Sequence, residues 1–510
     1  MYSEILSGAI VGIQAYMVGV EVDIAPGLPC FNMVGSLGSE VRESRERVSV
    51  ALKNAKIPIP CAHITVNLSP ADQRKEGTAF DLPIAVGVLQ SMEYFSEEST
   101  KDVLFLGELG LNGEIRRVKG VLPIVREAAR LGIRECIVPR ENAQEGAVIP
   151  GIKVRGAGNI GEILQFLRDG EKAQELLPAH VEVEELFDDG REPEEDFSQV
   201  NGQEAAKRAA EIAAAGFHNL LLTGPPGAGK SMIARRIPGI LPPLTVEESL
   251  EVTAVYSVAG MLGEKALMTD RPFQSPHHTV SQAAFIGGST IPKPGVISLA
   301  HRGVLFLDEL PEFSRGILDG MRQPLEEHRV HVSRVNGSVT YPAEFMLVCA
   351  MNPCPCGYYP NINRCHCTQP QVKRYMGKIS GPVLDRIDLC VELRPVELES
   401  IRAKVKGESS RQIRERVMAA RLIQEKRFRG SHCRFNADIE AADVEQYCPL
   451  GEEEQACAGQ LYDSLNLSAR GYHRLLKVAR TIADLEGAQT IQTEHLLEAA
   501  CYRPAQSYWL

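Results

Sequence analysis

The sequence predicts an α/β protein built on a parallel sheet, with a helical carboxyl-terminal region and an α+β domain in front. Three observations carry that reading. Between Ser198 and about Arg394, apolar runs (NLLLTG, VLFLDEL, FMLVCAMN) alternate with helical segments, the pattern of a sheet covered by helices. The first of these runs enters a glycine loop, GPPGAGKS, that opens into a helical stretch. Beyond Pro395 the strand character is lost, and LSARGYHRLLKVARTIADLEG is the most regular helical segment. A chain of 510 residues exceeds what one core supports, and about three domains are expected.

Residues 1–175 read as the α+β domain. Their opening, ILSGAIVGIQAYMVGVEV, is apolar enough to imitate a secretion signal. It lacks a basic leading region, contains Gln14, Glu21 and Asp23, and partly alternates, so it is expected to be the first strand of a folded domain. Helical patterns such as Leu122 to Leu131 follow. Without a signal the chain is expected to be cytoplasmic, where its 13 cysteines read as buried thiols or metal ligands before disulfides. Apolar residues at 44% and charged residues at 24% are ordinary for globular proteins, and no membrane association is expected.

Residues 176–197 read as an acidic linker, because EVEELFDDGREPEED (182–196) sets nine acidic side chains against one arginine and repels itself. The net charge of −11 gives no general attraction to nucleic acid, so any DNA binding has to come from local patches.

The core, residues 198–394, opens with NLLLTGPPGAGKSMIARRI. Gly224, Pro225, Pro226, Gly227, Ala228, Gly229, Lys230 and Ser231 complete the pattern G-x-x-x-x-G-K-[ST] between a strand and a helix. Glycines let backbone N–H groups curl around phosphates, and the helix N-terminus adds partial positive charge. Lys230 is placed for the β- and γ-phosphates and the Ser231 hydroxyl for Mg²⁺, so ATP with Mg²⁺ is the expected ligand. Seventy-eight residues after Lys230, VLFLDEL delivers Asp308 and Glu309 to the carboxyl edge of the sheet. Asp308 is expected to hold Mg²⁺ and Glu309 to orient or activate the attacking water. The next strand, FMLVCAMNP, ends at Asn352, either a contact to the γ-phosphate or its water, or an Asn-Pro turn former.

Two residues past Asn352 the segment CPCGYYPNINRCHC (354–367) begins. Its two Cys-x-Cys pairs, Cys354, Cys356, Cys365 and Cys367, offer the four thiolates of a tetrahedral Zn²⁺ site, and a loop too small for a core of its own would gain stability from the metal. His366 is a spare ligand. Four reduced thiols without metal is the competing reading, since Cys-x₂-Cys is the more usual zinc spacing. An iron–sulfur cluster has the donors but no other sign of electron transfer.

GPPGAGKS, VLFLDEL and AMNP, in this order, resemble the Walker A, Walker B and sensor 1 elements of an AAA+ ATPase. RPFQSPHHTVS, PKPGVISLAHRGVLFLDELPEF and ISGPVLDRIDL narrow the likeness to the magnesium-chelatase-like ATPases of the YifB/ComM type, over almost the whole chain. The resemblance implies that Arg386, in LDR, is an arginine finger acting on a neighbouring subunit's nucleotide and that Arg470, in SARGYHR, is the sensor 2 residue; Arg374 and Arg474 stay open as substitutes. It also implies that residues 395–510 form a helical lid and that the chain forms a homo-oligomeric ring, six subunits being the family's number. RVHVSRVNGSVTYP, with Asn336-Gly337 as a hairpin turn, would then offer Arg329, His331 and Arg334 toward a pore, unless it is a plain structural hairpin. GGSTIPKPG, with Lys293, is a second pore loop or a surface loop.

In front, PADQRKEGTAFDLPIAVGVLQ and GELGLNGEIRRVKGVLPIVREAARLGIRECIVPREN resemble the proteolytic domain of Lon and the carboxyl-terminal domain of RadA. Gly77-Thr-Ala-Phe-Asp81 puts Ala79 at the Lon serine position, and VLPIV has no lysine where the dyad needs one. Thr78 and Lys119 are displaced from the motif, so the Ser-Lys dyad is absent and a scaffold or binding platform is expected.

The function the resemblance implies is a DNA motor, a ring helicase for branch migration during natural transformation, acting on single-stranded or branched DNA. Two alternatives share the ATPase core. One is a magnesium-chelatase-type subunit for metal insertion, disfavoured by the fused amino-terminal domain and the cysteine cluster. The other is a protein-remodelling unfoldase, without protease activity because the dyad is missing.

Overall fold

The computed structural model describes residues 1–510 except 171–175, 188–194, 289–291, 335–336, 362, 380, 396–406 and 504–510. The chain forms two compact units. The first comprises Met1–Asp189, Thr245–Thr269 and Val339–Tyr341, and the second Gly190–Leu244, Asp270–Ser338 and Pro342–Leu510.

In the first unit the apolar opening is extended as its alternation predicts, but it forms two strands, because the chain turns back at Gly12, which has φ +67°. β1 (Tyr2–Val11) pairs antiparallel with β2 (Gln14–Ala25), from Tyr2 opposite Asp23 to Val11 opposite Gln14. β3 (Cys30–Val34), β4 (His63–Ser69), β5 (Val103–Phe105), β6 (Glu135–Pro139) and β7 (Lys153–Ala157) extend this to a mixed seven-stranded sheet of order β3-β4-β2-β1-β5-β6-β7. Helix α1 (Asp81–Ser91) is buried along its whole length because DLPIAVGVLQS is apolar all round, and it packs on β1 and β2. Helix α2 (Val121–Arg130) covers a second apolar cluster. That cluster includes Ala254 of the helix Val246–Ala259, which the chain supplies from within the stretch read as the core. The Ser257 hydroxyl donates to Glu145 and its carbonyl accepts from the Gly120 N–H, so buried polar groups there are paired.

The second unit carries the parallel sheet. β8 (Leu220–Thr223), β9 (Phe273–Gln274), β10 (Val304–Leu307), β11 (Met346–Met351) and β12 (Leu389–Glu392) lie in the order β9-β10-β11-β8-β12, all parallel. β10 and β11 are buried at every residue, the mark of strands covered on both faces. Helices α3 (Glu204–Gly216) and α4 (Lys230–Ile240) pack beside this sheet. Helix α5 (Gln369–Met376) follows the cysteine segment. The carboxyl-terminal region is helical as expected, with α6 (Ser410–Arg427), α7 (Ala469–Leu485) and α8 (Thr493–Cys501). α7 starts where its sequence directs, the Ser468 hydroxyl accepting the Gly471 N–H. Among the described residues no helix is long and apolar enough to cross a membrane.

The predicted hairpin forms from Arg329–Arg334 and Gly337–Pro342. Asn336, on which its turn was read, lies outside the described residues, as does the Arg334 side chain. Arg329 and Lys293 are exposed, and the ends of the Lys293 loop are tied by the Gly288 N–H donating to the Lys293 carbonyl.

Candidate functional site

Parallel register decides what meets at the carboxyl edge of the second sheet. Thr223, the last residue of β8, is opposite Met351 of β11, and Leu307 of β10 is opposite Cys349. The next residues out are therefore the glycine loop, Asn352 and Asp308. Lys230 is buried and directs its ammonium to the Gly224 carbonyl (2.7 Å), the Pro225 carbonyl (3.0 Å) and Asn352 Oδ1 (3.0 Å), which fills its donor capacity. Burial lowers its pKa, opposed by the nearby Asp308 charge. The Ser231 hydroxyl donates to Asp308 Oδ2 at 2.7 Å, and the Glu309 N–H donates to Asp308 Oδ1 at 2.9 Å. Gly224 has to be glycine: its φ is +155°, and a Cβ there would stand 2.6 Å from the Leu393 carbonyl oxygen.

A hydroxyl and a carboxylate in contact at the start of a phosphate-loop helix are the oxygen donors that suit Mg²⁺, and the first N–H groups of α4 have no partner within the helix and suit a phosphate chain. The residues present thus fit ATP with Mg²⁺.

His278, Tyr375 and Lys378 join this neighbourhood although a linear reading does not point to them. His278 Nδ1 lies 3.3 Å from Glu309 Oε2. Glu309, Asn352, Arg374, Tyr375, Lys378 and Cys367 help line a cleft of about 480 Å³. Lys378 is paired with Glu312 at 2.9 Å, while the Arg374 side chain is exposed at the cleft. Arg374 was weighed from sequence, and the signal for Lys378 was its place four residues further on, just past the end of α5.

The other three arginines weighed from sequence sit differently. Arg386 pairs with Glu326, and its backbone carbonyl accepts from Asn219, the residue that precedes β8. It is thus at the amino edge of the sheet, opposite to the edge that holds Lys230. Arg470 is exposed in the first turn of α7. Arg474, one turn on, is buried and donates to the Ile387 carbonyl at 3.1 Å, with Asp385 at 3.5 Å, so it ties α7 to the segment that carries Arg386.

The four cysteines of the insert converge. Cys354 Sγ lies 3.3 Å from Cys356 Sγ and 3.8 Å from Cys365 Sγ, Cys356 and Cys365 are 3.6 Å apart, and all four sulfurs lie within 4.8 Å of one another. A tetrahedron with Zn–S arms of about 2.3 Å has edges of about 3.8 Å, so the set fits zinc as it stands. The Tyr358 backbone N–H draws the Cys356 thiol down to about 6. The loop also touches the nucleotide motif: Gly357 has φ +85°, and a Cβ there would be 2.5 Å from Pro226 Cδ. A second grouping, His432, Cys433 and Asp443, offers one thiol, and its exposed imidazole lies 3.8 Å from Glu440 and 3.6 Å from Asp443.

In the first unit Ala79 offers no nucleophile. The Thr78 hydroxyl donates to Glu108, and the Lys119 stem runs along Gly260, so the structure bonds neither displaced candidate to the other.

Three family models match the chain: magnesium chelatase, subunit ChlI, over residues 196–401; subunit ChlI of Mg-chelatase over 20–142; and magnesium chelatase, subunit ChlI C-terminal, over 407–503. Competence protein ComM of Haemophilus influenzae is 42% identical over 502 residues, 98% of this chain and 97% of that protein. YifB of Escherichia coli is 43% identical over 498 residues, 97% of this chain and 96% of its own. A shorter stretch of 88 residues, 17% of the chain, is 41% identical to DNA repair protein RadA of Streptococcus pyogenes and covers 19% of it. Because the model over 20–142 itself carries a magnesium chelatase description, the amino-terminal domain does not by itself set this chain apart from chelatase subunits.

Proposed function

The chain belongs to the YifB/ComM family of magnesium-chelatase-like AAA+ proteins, and from that premise we propose that it is an ATP-driven motor that acts on DNA as a homo-oligomeric ring. The observation that supports ATP hydrolysis is the convergence of Lys230, Ser231, Asp308, Glu309 and Asn352 at one sheet edge. In this reading the loop N–H groups and the N-terminus of α4 bind the phosphates, and Lys230 exchanges its carbonyl partners for β- and γ-oxygens. Ser231 and Asp308 hold Mg²⁺, which when bound spreads the charge on those phosphates. Glu309 accepts a proton from the attacking water as the bond from the γ-phosphorus to the bridging oxygen breaks and ADP leaves. Asn352 keeps Lys230 and the water in register. Cys354, Cys356, Cys365 and Cys367 would hold a structural Zn²⁺, which would stiffen the loop behind Pro226.

DNA as the substrate is supported by similarity to a competence protein over 98% of the chain. The narrower reading is a branch-migration helicase in recombination, with the first unit as a binding platform. Since all three family models carry a magnesium chelatase description, a metal-insertion subunit is the second reading. ATPase assays with and without single-stranded, duplex and four-way-junction DNA separate the two. The motor is expected to be stimulated by DNA and to resolve a labelled junction only with hydrolysable ATP. Failure to bind or move any DNA form, with stimulation by a protein partner, would favour the chelatase or unfoldase reading.

A further inference from the structure

Away from the nucleotide site, the outer face of the seven-stranded sheet brings together a thiol, an imidazole and an amide. β3 is the edge strand and runs parallel to β4, with Cys30 opposite His63 and Asn32 opposite Thr65. Ile64 and Val66 of β4 are buried in the core, so by the period of two His63 stands on the other face, together with its partner Cys30 and with Asn32 two residues on. Cys30 Sγ lies 3.0 Å from His63 Nδ1, and the Asn32 side-chain amide lies 3.3 Å from Nε2. Cys30 and His63 are half-buried and Asn32 is exposed, so the group is open to small solutes.

Other thiols of the chain lack this setting. Burial pushes the thiols of Cys136, Cys349, Cys390, Cys433 and Cys448 up, away from the reactive thiolate, even though the Cys433 sulfur lies 3.6 Å from His432 Nε2. Cys61 and Cys501 are exposed, and among the described residues no imidazole bonds to either. Among the described residues outside the four-cysteine insert, Cys30 alone combines access to solvent, a base at hydrogen-bond distance and a third group on the far nitrogen of that base. Nucleophile, base and orienting group are the parts of an activated thiol.

We infer that Cys30 is the nucleophile of a thiol–disulfide exchange site, with His63 as its base and Asn32 as the residue that positions the imidazole. Nδ1 takes the thiol proton, and the Asn32 amide, whose oxygen and nitrogen exchange places by a half turn, accepts the Nε2–H of the imidazolium. The Cys30 sulfur then attacks one sulfur of a small disulfide. The new S–S bond forms as the old one breaks, and the departing thiolate takes the proton from Nδ1 and leaves as a thiol. Cys30 is left as a mixed disulfide, and the small disulfide is the oxidant. Charge on the same face selects among disulfides. Register sets Asp23 and Glu21 of β2 beside Thr65 and Asn67, and Glu4 of β1 beside Glu21. The amino terminus, 3.4 Å away, offsets Asp23, and the two glutamates favour a cationic disulfide over an anionic one. This site goes beyond the ATPase reading and does not depend on it.

The test uses the full-length reduced protein near neutral pH with cystamine, a cationic disulfide, and reads initial rates of adduct formation at each cysteine by peptide mass mapping. Cys30 is expected to react about tenfold faster than the more exposed Cys61 and Cys501, which report ordinary thiols in the same sample. His63→Ala is expected to lower the Cys30 rate by about tenfold to a hundredfold and to leave Cys61 and Cys501 unchanged, so that a loosened fold is read separately. Asn32→Asp, which still accepts the Nε2–H, is expected to keep the rate. Asn32→Leu, of like size without an acceptor, is expected to lose much of it, and a merely structural role would not separate these two substitutions. Oxidised glutathione, an anionic disulfide, is expected to modify Cys30 more slowly than cystamine does. A Cys30 rate no greater than that of Cys61 and Cys501, a rate unchanged by His63→Ala, equal rates in the Asp and Leu variants, or faster reaction with oxidised glutathione would each overturn the inference.

Discussion

At the scale of single residues, the site divides by which charge each side chain meets. Lys230 is the buried cation of the glycine loop, and without nucleotide its three donors are spent on two carbonyls and Asn352. Lys230→Ala is therefore expected to abolish nucleotide binding, and Glu309→Gln to bind ATP but not hydrolyse it. Filter binding of labelled ATP and phosphate release distinguish the two, and equal turnover in Glu309→Gln and the parent would remove the assignment. Lys230, Ser231, Asp308 and Glu309 were legible because each motif is contiguous and its chemistry needs those residue types. Asn352 was legible only through its neighbours, since an Asn-Pro pair at a strand end is also a turn. His278 was not legible as a partner of Glu309, because only the strand register sets the two side by side. Arg474 was weighed as a substitute for Arg470, yet its burial and its bonds to the 384–387 segment give it a structural tie.

At the scale of elements, the SARGYHR stretch became α7 as its pattern predicts, while the alternating opening, read as one strand, became the pair β1 and β2 because alternation does not mark the turn at Gly12. The helix Val246–Ala259 could not be assigned to its unit from sequence. Its capping box predicts that it is a helix, not what covers it, and Ala254 packs in the first unit's core. The cysteine loop was legible as a donor set but not as a buttress of Pro226, a contact that needs Gly357 in a left-handed turn. Protein purified without added metal is expected to carry about one zinc per chain by elemental analysis, and Cys365→Ser/Cys367→Ser to lose it and to bind ATP more weakly. Metal-free protein of full stability and affinity would favour four reduced thiols. In the helical carboxyl-terminal region, Asp484 is fully buried between Arg427 (2.7 Å) and Arg480 (3.1 Å). Removing the acid leaves two cations in low dielectric, so Asp484→Ala is expected to destabilise by about 3–5 kcal/mol, read as a lower urea midpoint. An unchanged midpoint would show that water reaches those arginines.

At the scale of the whole molecule, one fact of position and one of charge constrain what the chain can do. Arg386 sits at the amino edge of the sheet and the glycine loop at the carboxyl edge, four strand residues or roughly 13 Å apart along β12, so if Arg386 is an arginine finger, as proposed, it would serve a neighbouring subunit's nucleotide and not its own. Arg386→Ala is accordingly expected to keep ATP binding and lose turnover, and mixing it with Lys230→Ala to restore some hydrolysis through mixed subunit contacts. No rescue at any ratio, with assembly confirmed, would count against a shared site. The second fact is charge. At a net −11 the chain repels a phosphate backbone on average, so a DNA motor has to hold its track through a few exposed cations. Lys293 and Arg329 are exposed on the two segments read as pore-facing. If both meet phosphates, binding falls steeply with salt through counterion release, and replacing both by Ala is expected to reduce the slope of log K against log salt by about 2. The same variant should hydrolyse ATP at its basal rate and fail to exchange strands, because the fuel site is untouched and only the grip is lost. A slope unchanged by the double substitution would move the DNA contact elsewhere on the ring, and a parent with no salt-dependent binding at all would remove DNA as the track.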